Sequence, residues 1–315
     1  MIRKLFTIPL IVILFANIAL TVIVAQSRET RNIRAKSAGV LLLAHGGRQN
    51  WNDEVMKVAA AVDKTAPVEV AFGMASKRNI QTAVDKLIAR GAQDIIAVPL
   101  FISPHSSVIT ATEYLLGLRR DAPPELAAFA RMDHSHGGHS ENHSPDHSFN
   151  PMTPIKSSVP IRMTEPLGRH RLVADILLSR AKAVSREPER EVVILVAHGP
   201  VSDESNAKWL DDMRSLAERM RRSSNFKRIE YLTVRDDAPP PIREKATAEL
   251  REVVIKATGE KGKVLIVPLL LSYGGIEEGI KRRLEGLDYT MSNQALLPDP
   301  RIIEWVQLSI TVPRQ

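Results

Sequence analysis

The same order of motifs occurs twice along this chain, and that repetition limits the folds open to it. Gly39 to Gly46 reads GVLLLAHG, and Val192 to Gly199 reads VVILVAHG. Each is an apolar run closed by Ala-His-Gly and followed by a helical pattern, over 51–64 in the first half and 206–222 in the second. The match continues with DIIAVPLFIS from Asp94 to Ser103 and KVLIVPLLLS from Lys263 to Ser272. EPLGRHR at 165–171 and LLPDPR at 296–301 then each open a final helix. The runs are apolar throughout rather than alternating, as strands buried on both faces of a parallel sheet read. Amphipathic segments at 79–90 and 241–258 are long enough to cross between them. The alternation implies an α/β fold with a mostly parallel sheet in each half.

The expected strands are 39–45, 68–73, 94–101 and 159–164 in one lobe over 38–186. In a second lobe over 190–312 they are 192–198, 228–233, 263–270 and 289–294. A length of 315 residues suits two such units. One stretch, roughly 119–157, has no counterpart in the second half and reads as an inserted, mobile linker. It holds His134, His136, His139, His143 and His147, with Asp133, Glu141 and Asp146 among them. These are five of the nine histidines in the chain, so the tract reads as a binder of zinc, nickel, copper or cobalt, against a merely solvated linker.

Arg3 and Lys4 precede an apolar run from Leu5 to Ala25. That is the layout of a secretory signal over 1–25, or of an uncleaved membrane anchor. Either way the folded part is expected outside, periplasmic or attached to the outer side of the inner membrane. Membrane contact would come only through this segment. The chain has no cysteine, which excludes thiol nucleophiles, disulfides and cysteine metal sites. A net charge of +7 is spread among acids, and aromatic residues make up only 4%, so no nucleic-acid partner is expected.

Ligands of such sheets bind beyond the carboxyl ends of the strands. His45 stands at one such end, followed by Gly46, Gly47 and Arg48, where the glycines admit a bulky ligand. Its imidazole suits metal binding or proton transfer; a helix-capping role is the alternative. His105, in PLFISPHSSV, should reach the same crevice, with Ser103, Ser106 and Ser107 as polar contacts. The second half keeps His198 but has Glu277 and Glu278 where that loop should carry a histidine, which makes it a degenerate second site. His170 opens a helix and reads as structural or as a rim contact.

The His-Gly strand end, the run FGMASKRNIQTAVDKLIARGAQDIIAVPLFIS and the later EPLGRHRL resemble the sirohydrochlorin cobaltochelatases and ferrochelatases of the CbiX type. The resemblance spans about 39–306. It implies two similar lobes facing a central cleft, in a monomer with pseudo-twofold repeats. It also implies insertion of Co²⁺ or Fe²⁺, with Ni²⁺ as a third candidate, into a carboxylate-rich tetrapyrrole. The divalent metal would be a substrate, and no organic cofactor is implied. The family's first histidine maps to His45. Its second maps to His105, although strict register from Ser103 would fall at Ser107. The carboxylate that follows the family's second strand is absent, because Met74, Ala75 and Ser76 stand there. Arg48, Lys77 and Arg78 are candidates to hold ring carboxylates. The competing reading is an exported, non-catalytic protein that binds cobalt, nickel or a tetrapyrrole on the same fold.

Overall fold

The apolar runs become the central strands of two parallel sheets. The computed structural model describes residues 38–135 and 150–311. In the first lobe β1 (Ala38–Ala44), β2 (Val68–Phe72), β3 (Asp94–Pro99) and β4 (Ile161–Met163) are ordered β2-β1-β3-β4. In the second, β5 (Glu191–Ala197), β6 (Arg228–Thr233), β7 (Lys263–Leu269) and β8 (Thr290–Met291) repeat that arrangement as β6-β5-β7-β8. Every pairing is parallel. All residues of β1 and β5 are buried, as strands with neighbours on both sides and helices on both faces require.

The helices of the first lobe are α1 (Gln49–Val62), α2 (Lys77–Ala89), α3 (Ser107–Leu115), α4 (Leu126–Ser135) and α5 (Arg171–Val184). Those of the second are α6 (Asp203–Arg222), α7 (Pro240–Gly259), α8 (Ile276–Arg283) and α9 (Pro300–Thr311). The period of two along each strand sorts the core into layers. Val40, Leu42 and Ala44 of β1 enter a central core, and Leu41 and Leu43 enter an outer one with α2 and α3. In β5, Val193, Leu195 and Ala197 face the same central core, while Val192, Ile194 and Val196 pack toward α7 and α8.

That central core belongs to both lobes. It holds Trp51 and Val55 of α1, Ile176 and Leu177 of α5, Trp209 and Met213 of α6, and Ile302 and Trp305 of α9. The closing helix of each lobe lies on the other: α5 packs on α6 and β7, and α9 packs on α1 and β3. The exchange ties the repeats into one hydrophobic unit. Arg180 of α5 crosses it, donating to the carbonyls of Ala295, Leu296 and Pro298 and to Gln294 Oε1. The link between the lobes is held by Glu191, almost wholly buried at the start of β5. Its carboxylate accepts from the Ser185 hydroxyl and from the amides of Arg186 (2.8 Å) and Glu187 (3.1 Å).

The insert differs from expectation. Residues 119–157 do not form one loose linker. Residues 126–135 form α4, whose Leu126 and Phe129 sit in the outer core of the first lobe. Residues 150–156 are fastened along α2 and α3. Lys77 Nζ donates to Asn150 O (2.7 Å) and Thr153 Oγ1 (2.6 Å), and the Ile155 amide donates to Leu115 O (2.8 Å). His136, His139, His143 and His147 lie outside the described residues, as does the His134 side chain. So does the apolar run Leu5 to Ala25; among the described residues no helix is long and apolar enough to cross a membrane. The edge strands β4 and β8 are shorter than the runs 159–164 and 289–294, and each pairs on one side over a short ladder.

Candidate functional site

At the carboxyl end of the first sheet, β1 stops at Ala44 and His45 emerges exposed. Its backbone is flanked on one side by Gly73, whose amide reaches Ala44 O (3.0 Å) and His45 O (3.1 Å). On the other side, Leu100 N donates to Leu43 O (2.8 Å). Gly46 then turns with φ +80°, and a Cβ there would meet Phe72 at 3.3 Å, so only glycine serves. The Gly47 amide donates to Asn52 Oδ1 (2.8 Å), fixing the turn into α1. Arg48 is exposed at the N-cap position of α1 and gives no capping bond.

The His45 ring is set by one contact. Nδ1 lies 2.6 Å from Gly46 O. A carbonyl can only accept, so Nδ1 must donate, and the neutral ring carries its lone pair on Nε2. Such a ring has one nitrogen held by the chain and the other able to take a metal ion or a proton.

His105 follows β3 by a short loop. Its amide donates to Ser103 Oγ (3.1 Å), and Ser103 is only 3% exposed. Ser103 therefore shapes the loop that carries His105. Ser106 and Ser107 are half-buried at the start of α3. The His105 ring is directed to the second lobe: Nε2 lies 3.7 Å from Asp212 Oδ2 on α6. That is an ion-pair distance, too long for a hydrogen bond. Among the described residues no hydrogen bond or ion pair joins His105 to His45; the two rise from adjacent strands at one end of the sheet and engage different neighbours. Among the described residues no group of three His, Asp or Glu side chains gathers as a metal site.

Asp212 was invisible to sequence reasoning, although one signal existed. It lies on the buried face of α6 among Trp209, Met213, Leu216 and Ala217, where an acid is out of place. Among the described residues its Oδ2 has no hydrogen-bond partner, and Gly168 approaches it to within 3.9 Å of a would-be Cβ. Burial pushes its carboxyl above the usual carboxylate range, against the pull of His105 and Arg169. Replacing it by asparagine should stabilise the fold by about 1 kcal/mol at neutral pH, since a buried charge whose Oδ2 lacks a hydrogen bond is removed at constant shape. A raised folded pKa means that the ionised group costs stability above that pKa. The advantage of Asp212→Asn should therefore close as pH falls through it toward the unfolded value of about 3.9. Urea unfolding at two pH values measures this, and a destabilised Asp212→Asn would refute the assignment.

In the turn after β2, Met74, Ala75 and Ser76 carry no carboxylate. Ser76 is buried and caps α2 by accepting from the Asn79 amide (3.3 Å), and Asn79 Nδ2 donates to Phe72 O (2.7 Å). Lys77 is committed to Asn150 and Thr153; burial, then the nearby Lys156, lowers its pKa. It therefore secures the insert rather than awaiting a carboxylate. Arg78 is exposed on the first turn of α2. His170 caps α5, its Nδ1 accepting from the Leu172 amide (3.3 Å). Burial and then Arg171 lower its pKa, which keeps it neutral and structural.

The second lobe closes its own version of the site. His198 Nε2 lies 3.5 Å from Asp237 Oδ2. Glu277 and Glu278 do not face it. Glu277 accepts from the amides of Gly274 (3.1 Å) and Gly275 (2.9 Å), and Glu278 pairs with Lys281 (2.7 Å). Arg235, at φ +50°, is buried over the turn after His198, donating to Pro200 O (3.1 Å), Val201 O and Asp203 Oδ1 (2.5 Å). In the first lobe Met74 and Ala75 occupy the corresponding turn after β2, with no arginine in that turn.

Residues 39–184 match the family model CbiX. A sirohydrochlorin cobaltochelatase from Methanococcoides burtonii is 27% identical over 154 residues, covering 48% of this chain and 98% of that protein. SirB from Bacillus subtilis with Fe³⁺ superposes with a TM-score of 0.57 at 16% identity, over 87% of this chain and 94% of that one. The sirohydrochlorin chelatase SirB from Bacillus subtilis subspecies spizizenii in complex with cobalt gives 0.53 at 16% identity, over 87% and 95%. At such identities the structural likeness is one of fold. It covers both lobes, whereas the relative from Methanococcoides burtonii is about as long as one.

Proposed function

We propose that this chain, whose residues 39–184 match the CbiX family model, inserts a divalent metal ion, cobalt or iron, into a sirohydrochlorin-like tetrapyrrole at the carboxyl end of the first sheet. The observation that carries this reading is His45: an exposed imidazole at the end of a buried strand, its Nδ1 proton committed to Gly46 O and its Nε2 left basic. Metal insertion exchanges two pyrrole N–H protons for one M²⁺, with no change of oxidation state. The site therefore needs a proton acceptor and a place for a cation, and Nε2 can serve as either. His105, steadied by Asp212 from the second lobe, is the second candidate for the same work. Arg48 is the exposed cation nearest in sequence for a ring carboxylate, which a guanidinium grips by two parallel hydrogen bonds. With Arg235 across the second crevice, the second lobe serves as the wall and support of the first.

An anaerobic assay following sirohydrochlorin absorbance with Co²⁺, Fe²⁺ or Ni²⁺ tests the reading. Acceleration above background with at least one metal is expected. No acceleration with any metal would instead assign the chain as an exported metal-binding protein on a chelatase fold. The His-rich tract is what favours that second reading.

We assign the tract to metal storage. Replacing His134, His136, His139, His143 and His147 by serine should lower the metal bound per chain in equilibrium dialysis. The rate at saturating metal should stay unchanged, and half-saturation should move to higher metal. A fall in the saturated rate would put the tract in the reaction itself. From Arg3, Lys4 and the run Leu5 to Ala25 we also infer export of the folded part, which cell fractionation checks.

A further inference from the structure

In the first lobe the groove between α2 and α3 is filled by residues 150–156. Ile155 N meets the carbonyl of Leu115, the last residue of α3, Tyr114 OH donates to Met152 O (3.1 Å), and Gln81 of α2 exchanges hydrogen bonds with the Lys156 backbone (2.8 Å each). The second lobe has no such segment, since β8 begins only a few residues after α8. Its corresponding groove, between α7 and α8, is an open cavity of about 620 Å³.

Arginines line that cavity. Arg251 Nη1 donates to the carbonyl of Arg283, the last residue of α8 (2.6 Å), in the role that the Ile155 amide plays in the first lobe. Arg283 forms the floor, its guanidinium paired with Asp236 and its Nε donating to Thr247 Oγ1 (3.2 Å). Gly279 makes room for it, because a Cβ there would lie 2.9 Å from Arg283 Nη1. Arg243 and Arg282 also line the cavity, and neither guanidinium has a hydrogen bond or ion pair among the described residues. Glu244 is the one lining carboxylate besides Asp236, which Arg283 already neutralises. The balance is four guanidiniums against two carboxylates, in a recess with two of the guanidiniums uncommitted.

We propose that the α7–α8 groove binds a small organic polyacid or phosphate ester, its oxyanion gripped by Arg243 and Arg282. Guanidinium forks match the oxygens of carboxylate and phosphate alike. The recess also has the volume of a small-molecule site rather than of a single ion. This assignment stands on the second lobe alone and does not depend on metal insertion by the first.

Calorimetric titration of the full chain at low ionic strength, with citrate in one arm and inorganic phosphate in the other, tests it. Saturable one-to-one binding is expected in at least one arm, and the tighter arm identifies the oxyanion. Arg243→Gln and Arg282→Gln should each weaken it about tenfold, and Arg214→Gln, an exposed control on α6, should not. Because Arg243 and Arg282 are uncommitted, both variants should keep the parent unfolding temperature, so lost binding is not lost folding. Absence of saturable binding in both arms up to about 10 mM would overturn the proposal. So would binding that survives the Arg243→Gln/Arg282→Gln double variant.

Discussion

His45→Ala lowers the rate of metal insertion by about 10²- to 10⁴-fold, the usual worth of a positioned proton acceptor, and leaves the unfolding temperature where it was. The first half of this expectation rests on the tautomer. With Nδ1 donating to Gly46 O, Nε2 is the only basic nitrogen the ring can offer. The second half rests on exposure: His45 is outside the core, and removing it returns one backbone carbonyl to water. Insertion should be measured together with tetrapyrrole binding. A variant that still binds the macrocycle but does not metallate it has lost chemistry rather than affinity. His198→Ala is the matched control and should leave the rate unchanged, because Arg235 already spans the turn beside it. A His45→Ala protein that metallates at the parent rate would move the reading to a tetrapyrrole-binding protein without catalysis.

The central strands were legible in the sequence because a strand buried on both faces has no polar side to interrupt its apolar run. β1, β3, β5 and β7 therefore fall within one or two residues of the runs that announce them. Helix α4 was hidden by Pro123 and Pro124 before it and by the histidine tract after it, although Leu126 and Phe129 give it a face to bury. Helix α8 is short and charged, IEEGIKRR after two glycines, and shows too little apolar period to be read. The position of His45, exposed at the end of a buried strand, was legible because a histidine that ends an apolar run is conspicuous. The partner of His105 was not, because Asp212 is supplied by the other lobe through the packing of α5 on α6. Nor was the clamp of Arg235, whose acceptors are mostly backbone carbonyls that any residues could supply. Contacts made by the exchange of closing helices leave no local pattern in the sequence.

Arg180→Met destabilises the whole protein by about 3 to 5 kcal/mol, the range for breaking a buried ion pair from one side. Arg180 is 9% exposed and reaches from α5 into the 294–299 loop of the second lobe. It satisfies Ala295 O (2.8 Å), Gln294 Oε1 (2.7 Å), Pro298 O (3.0 Å) and Leu296 O (3.3 Å), and lies 3.3 Å from Asp299. Methionine fills part of the volume and leaves those acceptors dry. Asp299 keeps Arg301, so the lower part of the range is favoured. Arg180→Lys should recover little, because a single ammonium cannot reach acceptors laid out for a planar fork. Because the central core is common to both lobes, urea unfolding should remain one transition with a lower midpoint. The effect also carries a pH signature. Burial would raise the Asp299 pKa, but Arg301 first and Arg180 after it hold it below the usual carboxylate range. A folded pKa below the unfolded one stabilises above about 3.9 and is lost as pH falls through the folded value. Without Arg180 that folded value rises toward the unfolded one, so the variant should lose less stability on acidification than the parent and finish losing it at a higher pH. A change under about 1 kcal/mol, the scale of an exposed pair, would show that the lobes are held by apolar packing alone. The clamp also bears on the site, since α5 begins beside Gly168, whose backbone packs on Pro104 next to His105. Slackening α5 should therefore loosen the His105–Asp212 approach and reduce insertion even at temperatures where the variant is still folded.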